Sequence, residues 1–198
     1  MGEVFSTDKN TALVIGGAHT LANTDGNLIG DPIEKQTFEG IKFRQASDGS
    51  RVSSGHGVQI TQIKKYIFSS ALKRMSVLAQ IADRDGNSLR VIAKGAPEVL
   101  KQHMKTYPKN YDETYMKYVK NGARVLAMAY KQVQKMDRQE QLAYTREQAE
   151  SDLIFCGFII AECPLKEDTL AVMLELKESS HEIKMITGDN ALTAAFIG

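Results

Sequence analysis

Two short stretches carry most of the information in this chain: Lys94-Gly95-Ala96-Pro97-Glu98, and further along Thr187-Gly188-Asp189-Asn190. The first follows an apolar run and is itself followed by a helical segment with proline and an acidic residue in its first turn. The second follows the apolar run 182–187 and precedes another helical segment. Both stretches therefore predict strand–turn–helix junctions. Ligands bind at the carboxyl ends of the strands in parallel α/β sheets.

Composition restricts the class of protein. The chain has 198 residues, of which 42% are hydrophobic, so it can bury one substantial core and a smaller second one. The 25 basic and 24 acidic residues leave a net charge of +1, which gives no electrostatic indication of nucleic-acid binding, and we expect no nucleic-acid partner. Two cysteines, Cys156 and Cys163, predict neither a disulfide framework nor a metal site, and they favour a reducing, cytosolic environment. The sequence has no apolar run close to the roughly 18–20 residues that cross a bilayer.

The hydrophobic pattern predicts an α/β chain. Helical spacing and capping signals predict helices at 11–22, 31–43, 97–103 and 111–121. Strand-like runs lie at 58–68, 73–82, 88–94 and 123–133. The Asp-Gly pair in Asp83-Arg84-Asp85-Gly86-Asn87 predicts a hairpin between the second and third strands, and the polar, glycine-rich residues 45–57 predict a surface loop.

The pattern changes after the polar stretch 134–151, which predicts a solvated helix or linker at a domain boundary. Beyond it the order is strictly β-α-β-α, with elements predicted at 153–160, 167–179, 182–187 and from 190. These strands lack polar–apolar alternation, which is typical of buried strands in a parallel sheet.

The two opening motifs, in this order, resemble the cytosolic head of a P-type ATPase, a transport ATPase that works through a phosphorylated aspartate. The first motif is similar to that family's nucleotide-binding domain and the second to its phosphorylation domain. The resemblance extends from about Thr11 to Gly198. The family's phosphate-accepting aspartate lies in a DKTGT motif, and this string is absent from the 198 residues.

The resemblance implies an adenine site. Phe68-Ser69-Ser70-Ala71-Leu72-Lys73-Arg74-Met75-Ser76-Val77 resembles the family's F-S-x-x-x-K-x-M-S-V stretch, whose phenylalanine stacks on adenine. Such a platform is worth about 1–3 kcal/mol. Lys73 would reach the ring edge or the phosphates. Taken alone, Phe68 would be interpreted as a core residue and Lys73 as a solvated edge.

Four further residues match nucleotide-binding positions of the family. Lys94 would contact adenine or phosphate, and Gly95 would let the ligand approach the backbone. Glu34 matches the acid that accepts a hydrogen bond from the adenine amino group. Arg124 matches the arginine that pairs with the triphosphate, for which a guanidinium fork is well suited.

The second motif implies contacts on the phosphate side. Thr187 and Gly188 would hold the γ-phosphate, and Asp189 would help to hold the nucleotide and its loop. Cys163-Pro164-Leu165-Lys166 stands where cation pumps carry Asp-Pro-Pro-Arg, so Lys166 keeps a cation near the phosphates while Cys163 replaces the acid. A helix cap at Asp189 or Asn190 is the simpler interpretation, and both can hold together.

The motifs resemble most the type V pumps. Ala96 and the Gly-Ala-Arg at 122–124 resemble the endoplasmic-reticulum A branch, which extracts misplaced transmembrane helices, although such chains are often labelled cation transporters. The B branch exports polyamines from lysosomes. The implied location is therefore the cytosolic face of a membrane, most simply the endoplasmic reticulum.

The resemblance implies three regions. Residues 1–135 form a nucleotide-binding domain with an antiparallel sheet flanked by helices, 136–151 a linker, and 152–198 the second half of a truncated haloacid-dehalogenase-like phosphorylation domain. The intact pump would use ATP and Mg²⁺ and would include further phosphorylation, actuator and transmembrane domains. Because the nucleophile and the Gly-Asp-Gly-x-x-Asn-Asp loop are absent, we expect this chain to bind ATP without hydrolysing it, and to supply no metal ligand.

Two alternatives use the same residues differently. A free-standing haloacid-dehalogenase-type phosphatase needs an N-terminal Asp-x-Asp nucleophile, which the sequence lacks. A non-catalytic nucleotide sensor or scaffold would keep Phe68 and Lys94 without a phosphorylation half. The predicted strand 182–187 with its Thr-Gly-Asp argues against that second alternative.

Overall fold

The computed structural model describes residues 8–24, 26–46, 49, 51–54, 57–162, 164–188 and 191–197. Only the backbone of residue 197 is described. The chain divides into two compact units. The first unit consists of Met1–Pro108 and Leu126–Ile159, and the second unit consists of Lys109–Val125 and Ile160–Gly198. The functional domains predicted at 1–135, 136–151 and 152–198 stay a prediction. Within the described ranges, no helix is long and apolar enough to span a membrane.

The strands of the described ranges form one large sheet and one small pair. In chain order they are β1 (Ala22–Thr24), β2 (Asn27–Ile29), β3 (Phe43–Gln45), β4 (Arg51–Ser54), β5 (Gln59–Ser69), β6 (Arg74–Asp83), β7 (Gly86–Gly95), β8 (Met104–Thr106), β9 (Arg124–Val133) and β10 (Leu153–Ala161). β1 and β2 pair with each other. The other eight follow the order β3-β4-β5-β6-β7-β9-β10-β8. Pairing is antiparallel from β3 through β9, whereas β10 and β8 run parallel.

The β6–β7 hairpin is the centre of the sheet. Its register runs from Arg74 opposite Gly95 to Asp83 opposite Gly86, so nearly every residue of both strands is paired. Gly86 has a φ of +113°, which a residue with a side chain adopts only under strain. The hairpin predicted from the Asp-Gly pair is therefore confirmed.

Helices cover both faces of this sheet. The helices of the described ranges are α1 (Lys9–Gly17), α2 (Pro32–Gly40), α3 (Pro97–Leu100), α4 (Tyr111–Lys120), α5 (Arg138–Ala143), α6 (Arg146–Glu150), α7 (Thr169–Glu178) and α8 (Ala191–Ile197). α1 contacts β5, β7 and α2, while α5 and α6 contact β5, β6 and β7. The α1–α2 face encloses the main core, which includes Leu13, Val14, Phe38, Ile60, Met75, Val77, Ile92 and Met128.

Two element predictions are corrected by the structure. The loop predicted at 45–57 contains strand β4, whose Val52 is fully buried between β3 and β5. The strand predicted at 182–187 is wrong, because residues 181–187 have no regular secondary structure and all are exposed. A strand needs a neighbour for its backbone hydrogen bonds, and no described strand pairs with this segment.

The regular elements that lie wholly within the second unit are helices, as far as its described residues show. Thr193 of α8 is buried, and its Oγ1 donates to the Ala123 carbonyl at 3.5 Å. Phe196 lies against Gly122, which has a φ of +79°. No residue of α7 is buried, so its apolar side chains are at least partly exposed. The helices predicted at 167–179 and from 190 are confirmed, whereas a parallel sheet in this unit is not observed among the described residues.

Candidate functional site

A buried ion pair marks the α1–α2 face of the sheet. Lys94 Nζ lies 2.8 Å from Glu34 Oε1, and the two side chains are only 6% and 10% exposed. Two of the residues predicted to bind adenine are therefore in direct contact, although 60 positions separate them along the chain.

Local structure explains how each partner reaches this position. Asp31 caps α2, its side chain accepting hydrogen bonds from the Ile33 and Glu34 amides, and Pro32 occupies the first turn. Glu34 is thereby fixed in the first turn of α2. Lys94 is opposite Met75 on one side and Met128 on the other, so it stands in a row of core residues.

The Glu34 carboxylate keeps one acceptor position. Its Oε2 accepts from the Thr20 amide at 2.9 Å and the Thr20 hydroxyl at 3.0 Å, while Oε1 accepts from Lys94. Each carboxylate oxygen can accept about two hydrogen bonds, so Oε1 can accept one more. Burial alone would raise the pKa of Glu34, but the Lys94 ammonium and the Thr20 donors outweigh it and hold that pKa below its usual value.

Two further titratable groups surround the pair. His19 is fully buried, and burial lowers its pKa to about 4, so it is neutral near pH 7. Lys65 is opposite Val77 in the β5–β6 register, which places it on the same face of the sheet as the core residue Val77. The Lys65 side chain is exposed, but it loses part of its hydration to the surrounding protein, which lowers its pKa against the attraction of the Glu34 carboxylate.

The predicted adenine platform lies near the end of β5, next to the turn that leads into β6. Phe68 is 54% exposed, which is unusual for a phenylalanine at the end of an apolar strand. Ser69 closes the turn, since its carbonyl accepts from the amides of Leu72 and Lys73 at 3.1 and 2.8 Å. Lys73 is exposed and has a left-handed φ of +47°, a conformation that costs a side-chain-bearing residue energy.

Gly95 joins this turn to the ion pair. A Cβ at Gly95 would lie 2.6 Å from Arg74 Cβ and 2.7 Å from the Lys73 carbonyl oxygen. That same oxygen accepts from the Ala96 amide at 2.9 Å. The absent side chain thus lets the β7 end approach the Phe68–Lys73 turn. The end of β5, the start of β6 and the end of β7 consequently meet at one end of the sheet.

The remaining predicted residues belong to the second unit or lie outside the described residues. Arg124 begins β9, belongs to the second unit and is exposed. Lys166, Thr187 and Gly188 are also in the second unit and exposed. Asp189 and Cys163 lie outside the described residues. The structure therefore brings together Glu34 and Lys94, and places Phe68, Lys73 and Gly95 at one end of the sheet.

Several contributors to the site were missed in the sequence. His19, Thr20 and Lys65 have no motif of their own, and only the fold brings them near Glu34. The polar stretch 134–151, predicted to be solvated, also contains a buried carboxylate, Glu150. The capping-box spacings Asp137–Glu140 and Thr145–Gln148 could have revealed the two helix starts in this stretch. Among the described residues, no group of three or more His, Cys, Asp or Glu side chains could hold a metal.

A mostly antiparallel sheet with flanking helices, bearing this pair at one end, fits a nucleotide-binding domain. Residues 28–168 match the sequence model of the P-type ATPase cytoplasmic domain N, which covers more than half of the chain. The chain belongs to the P-type ATPase family. The family resemblance drawn from the motifs is thereby confirmed.

Named relatives support the same family. The chain is 41% identical over 190 residues to an endoplasmic reticulum transmembrane helix translocase of Saccharomyces cerevisiae, covering 96% of the chain and 15% of the relative. It is 40% identical to the probable manganese-transporting ATPase PDR2 of Arabidopsis thaliana, covering 94% and 16%. It is 36% identical to the probable cation-transporting ATPase 13A5 of Mus musculus, covering 89% and 16%. The chain thus spans about one sixth of the length of the curated relatives it matches.

Proposed function

We propose that this chain binds ATP as part of the cytosolic head of a P-type pump. The observation that carries the proposal is the buried Lys94–Glu34 pair at the end of the sheet where the exposed Phe68 lies. Phe68 would stack on the adenine ring, and the free acceptor position of Glu34 Oε1 would receive the adenine amino group. Lys94 is already paired with Glu34, which favours a role at the adenine edge over one at the phosphates.

The phosphates would be held by other residues. Lys73 is exposed beside Phe68 and would reach the phosphates, and Arg124 would pair with the triphosphate. Lys166, Thr187, Gly188 and Asp189 would complete the phosphate side in the intact pump, within a haloacid-dehalogenase-like phosphorylation domain. When bound, Mg²⁺ would neutralise phosphate charge there.

The parent protein would be a pump whose ATP hydrolysis proceeds through an aspartyl-phosphate. Relatives named endoplasmic reticulum transmembrane helix translocase match at 39–41% identity, so helix extraction at the endoplasmic reticulum is the proposed activity. Transport of a cation or a polyamine is the alternative. Reading the gene upstream and downstream tests this proposal, since a pump requires a DKTGT motif and membrane spans, whereas a nucleotide sensor requires neither.

ATP titration of the purified chain tests the binding site. Phe68→Ala should weaken binding by about 1–3 kcal/mol while leaving the fold intact, because the ring is largely exposed. Ile67→Ala is the matched control, since Ile67 is the neighbouring residue and is 66% exposed. Equal ATP affinity in wild type and Phe68→Ala would remove Phe68 from the site.

A further inference from the structure

Glu150, the last residue of α6, is a buried carboxylate with three donors. Its side chain is 2% exposed, and its Oε2 accepts from Arg74 Nε at 2.6 Å. Its Oε1 accepts from Ser76 Oγ and from Arg146 Nε, both at 2.9 Å. A carboxylate is buried to this extent only where charge and hydrogen bonds compensate its loss of water, and here they come from both β6 and α6.

The two arginines extend this network to the turn that carries Phe68 and Lys73. Arg146 Nη1 donates to the Ile67 carbonyl at 3.2 Å, and its Nη2 donates to the Arg74 carbonyl at 2.9 Å. Arg74 Nη1 donates to the Leu72 carbonyl at 3.2 Å. Three backbone carbonyls at both ends of the turn are thus held by guanidinium groups whose orientation Glu150 sets.

This arrangement does more than attach α6 to the sheet. Other contacts already hold α5 and α6 there: Tyr66 Oη donates to the Tyr144 carbonyl at 2.5 Å, and Lys131 Nζ donates to the Gln148 and Ser151 carbonyls. The arginine contacts, by contrast, go to the backbone on either side of Phe68. Lys73, with its left-handed φ, needs surroundings that fix that conformation.

We infer that Glu150 is a positioning residue for the nucleotide site, acting through Arg74 and Arg146 on the Phe68–Lys73 turn. The inference rests on the proposed ATP-binding function, because a fixed position of Phe68 and Lys73 matters for binding only if these residues contact the nucleotide. Glu150 would act in this way without contacting the nucleotide. Its effect is to hold the aromatic platform and Lys73 in one place before adenine binds, which reduces the ordering cost of binding.

The experiment compares Glu150→Gln with Glu147→Gln, a matched control on the same helix whose side chain is exposed. ATP and adenosine affinities are measured well below the unfolding temperature, where a purely structural loss leaves nearly all molecules folded and affinity unchanged. Glu150→Gln should weaken both ligands by a similar factor of about tenfold, the order expected when stacking is lost. Glu147→Gln should bind as wild type. Wild-type affinity in a folded Glu150→Gln protein would overturn the inference.

A second variant covers the case in which Glu150→Gln does not fold. Arg146→Lys keeps the positive charge but loses the fork that reaches both Ile67 and Arg74. We expect weaker binding in the same direction, together with faster amide exchange at residues 68–73 than in Glu147→Gln. Should wild type itself bind no ATP, the proposed function fails, and the exchange data alone then decide: unchanged exchange at 68–73 overturns the positioning role, and faster exchange supports it.

Discussion

Lys94 Nζ and Glu34 Oε1 are 2.8 Å apart, and each side chain is almost completely removed from solvent. Glu34 comes from the first turn of α2 and Lys94 from the end of β7, so this single contact joins a helix to the sheet. Neither charge would be tolerated here without the other. The pair is electrically neutral, which suits its proposed contact with a neutral purine.

Removal of one partner should therefore cost more than removal of both. Lys94→Met leaves the Glu34 carboxylate buried and unpaired, and we expect a loss of about 3–5 kcal/mol in the free energy of unfolding. The double variant Glu34→Gln/Lys94→Met should be more stable than the single one. Urea unfolding at pH 7 measures both. Equal stabilities for the single and double variants would contradict a coupled pair.

His19 makes the stability of the first unit dependent on pH. Burial lowers its pKa from 6.5 to about 4, so the unfolded chain binds a proton in this range and the folded chain does not. Stability is therefore complete above pH 6.5 and falls as the pH drops towards 4, by an amount on the order of 3 kcal/mol. Urea unfolding between pH 4 and pH 7 follows this loss.

The control for His19 is asparagine. The imidazole Nδ1 accepts from the Leu21 amide at 3.2 Å, and an asparagine oxygen can accept from an amide two residues ahead. His19→Asn should lose most of the pH dependence above pH 5, while losing some packing against Phe38, whose ring lies 5.0 Å away. Burial also lowers the pKa of His103, so a smaller dependence of the same sign should remain. The depressed pKa of Glu34 acts at lower pH, where protonation removes its contribution. A slope unchanged in His19→Asn would assign the pH dependence to another group.

Gly95 tests the close approach of β7 to the Phe68–Lys73 turn. In Gly95→Ala the new methyl would lie 2.6 Å from Arg74 Cβ, 2.7 Å from the Lys73 carbonyl oxygen and 2.9 Å from Arg74 Cα. The last two of these atoms belong to the backbone and cannot move aside as a flexible side chain can. We expect a loss of about 1–3 kcal/mol in stability, as for other overpacked positions, and weaker ATP binding as the turn shifts. Gly188→Ala is the control for the stability measurement only, because nothing lies within 4 Å of its added Cβ. Wild-type stability in Gly95→Ala would mean that the Phe68–Lys73 turn can move away from β7 without a loss of free energy.

Sequence patterns predicted the first unit well where the signal was local. The Asp-Gly turn, the Asp31-Pro32 helix start and the apolar runs of β5 to β7 each depend on neighbouring residues only. The strand predicted at 182–187 failed because its formation depends on partners distant in the chain: Ile186 is 96% exposed, and no described strand accompanies it. The apolar run 182–187 alone could not reveal that a pairing strand is missing among the described residues.

The site was predictable to the extent that family motifs mark it. Phe68, Lys73, Glu34 and Lys94 were selected as candidates by resemblance alone, and the observed Glu34–Lys94 contact could not have been derived from spacing. Glu150 lies in a polar stretch where an acidic residue is expected to be solvated. Its burial results from two arginines, one of them 76 positions away, and such a network leaves no periodic trace in the sequence.

The last prediction concerns turnover. We expect ATP affinity near the millimolar range, or roughly 4 kcal/mol, because adenine stacking provides most of it. Mg²⁺ should change that affinity little, since the described residues offer no cluster of metal ligands. Incubation with γ-labelled ATP should leave the protein unlabelled and release phosphate at the background rate, because the 198 residues contain no DKTGT aspartate to attack the γ-phosphorus. Label that remains on the protein after acid precipitation would require a nucleophile within this chain, and would overturn its assignment as an ATP-binding segment without catalytic activity.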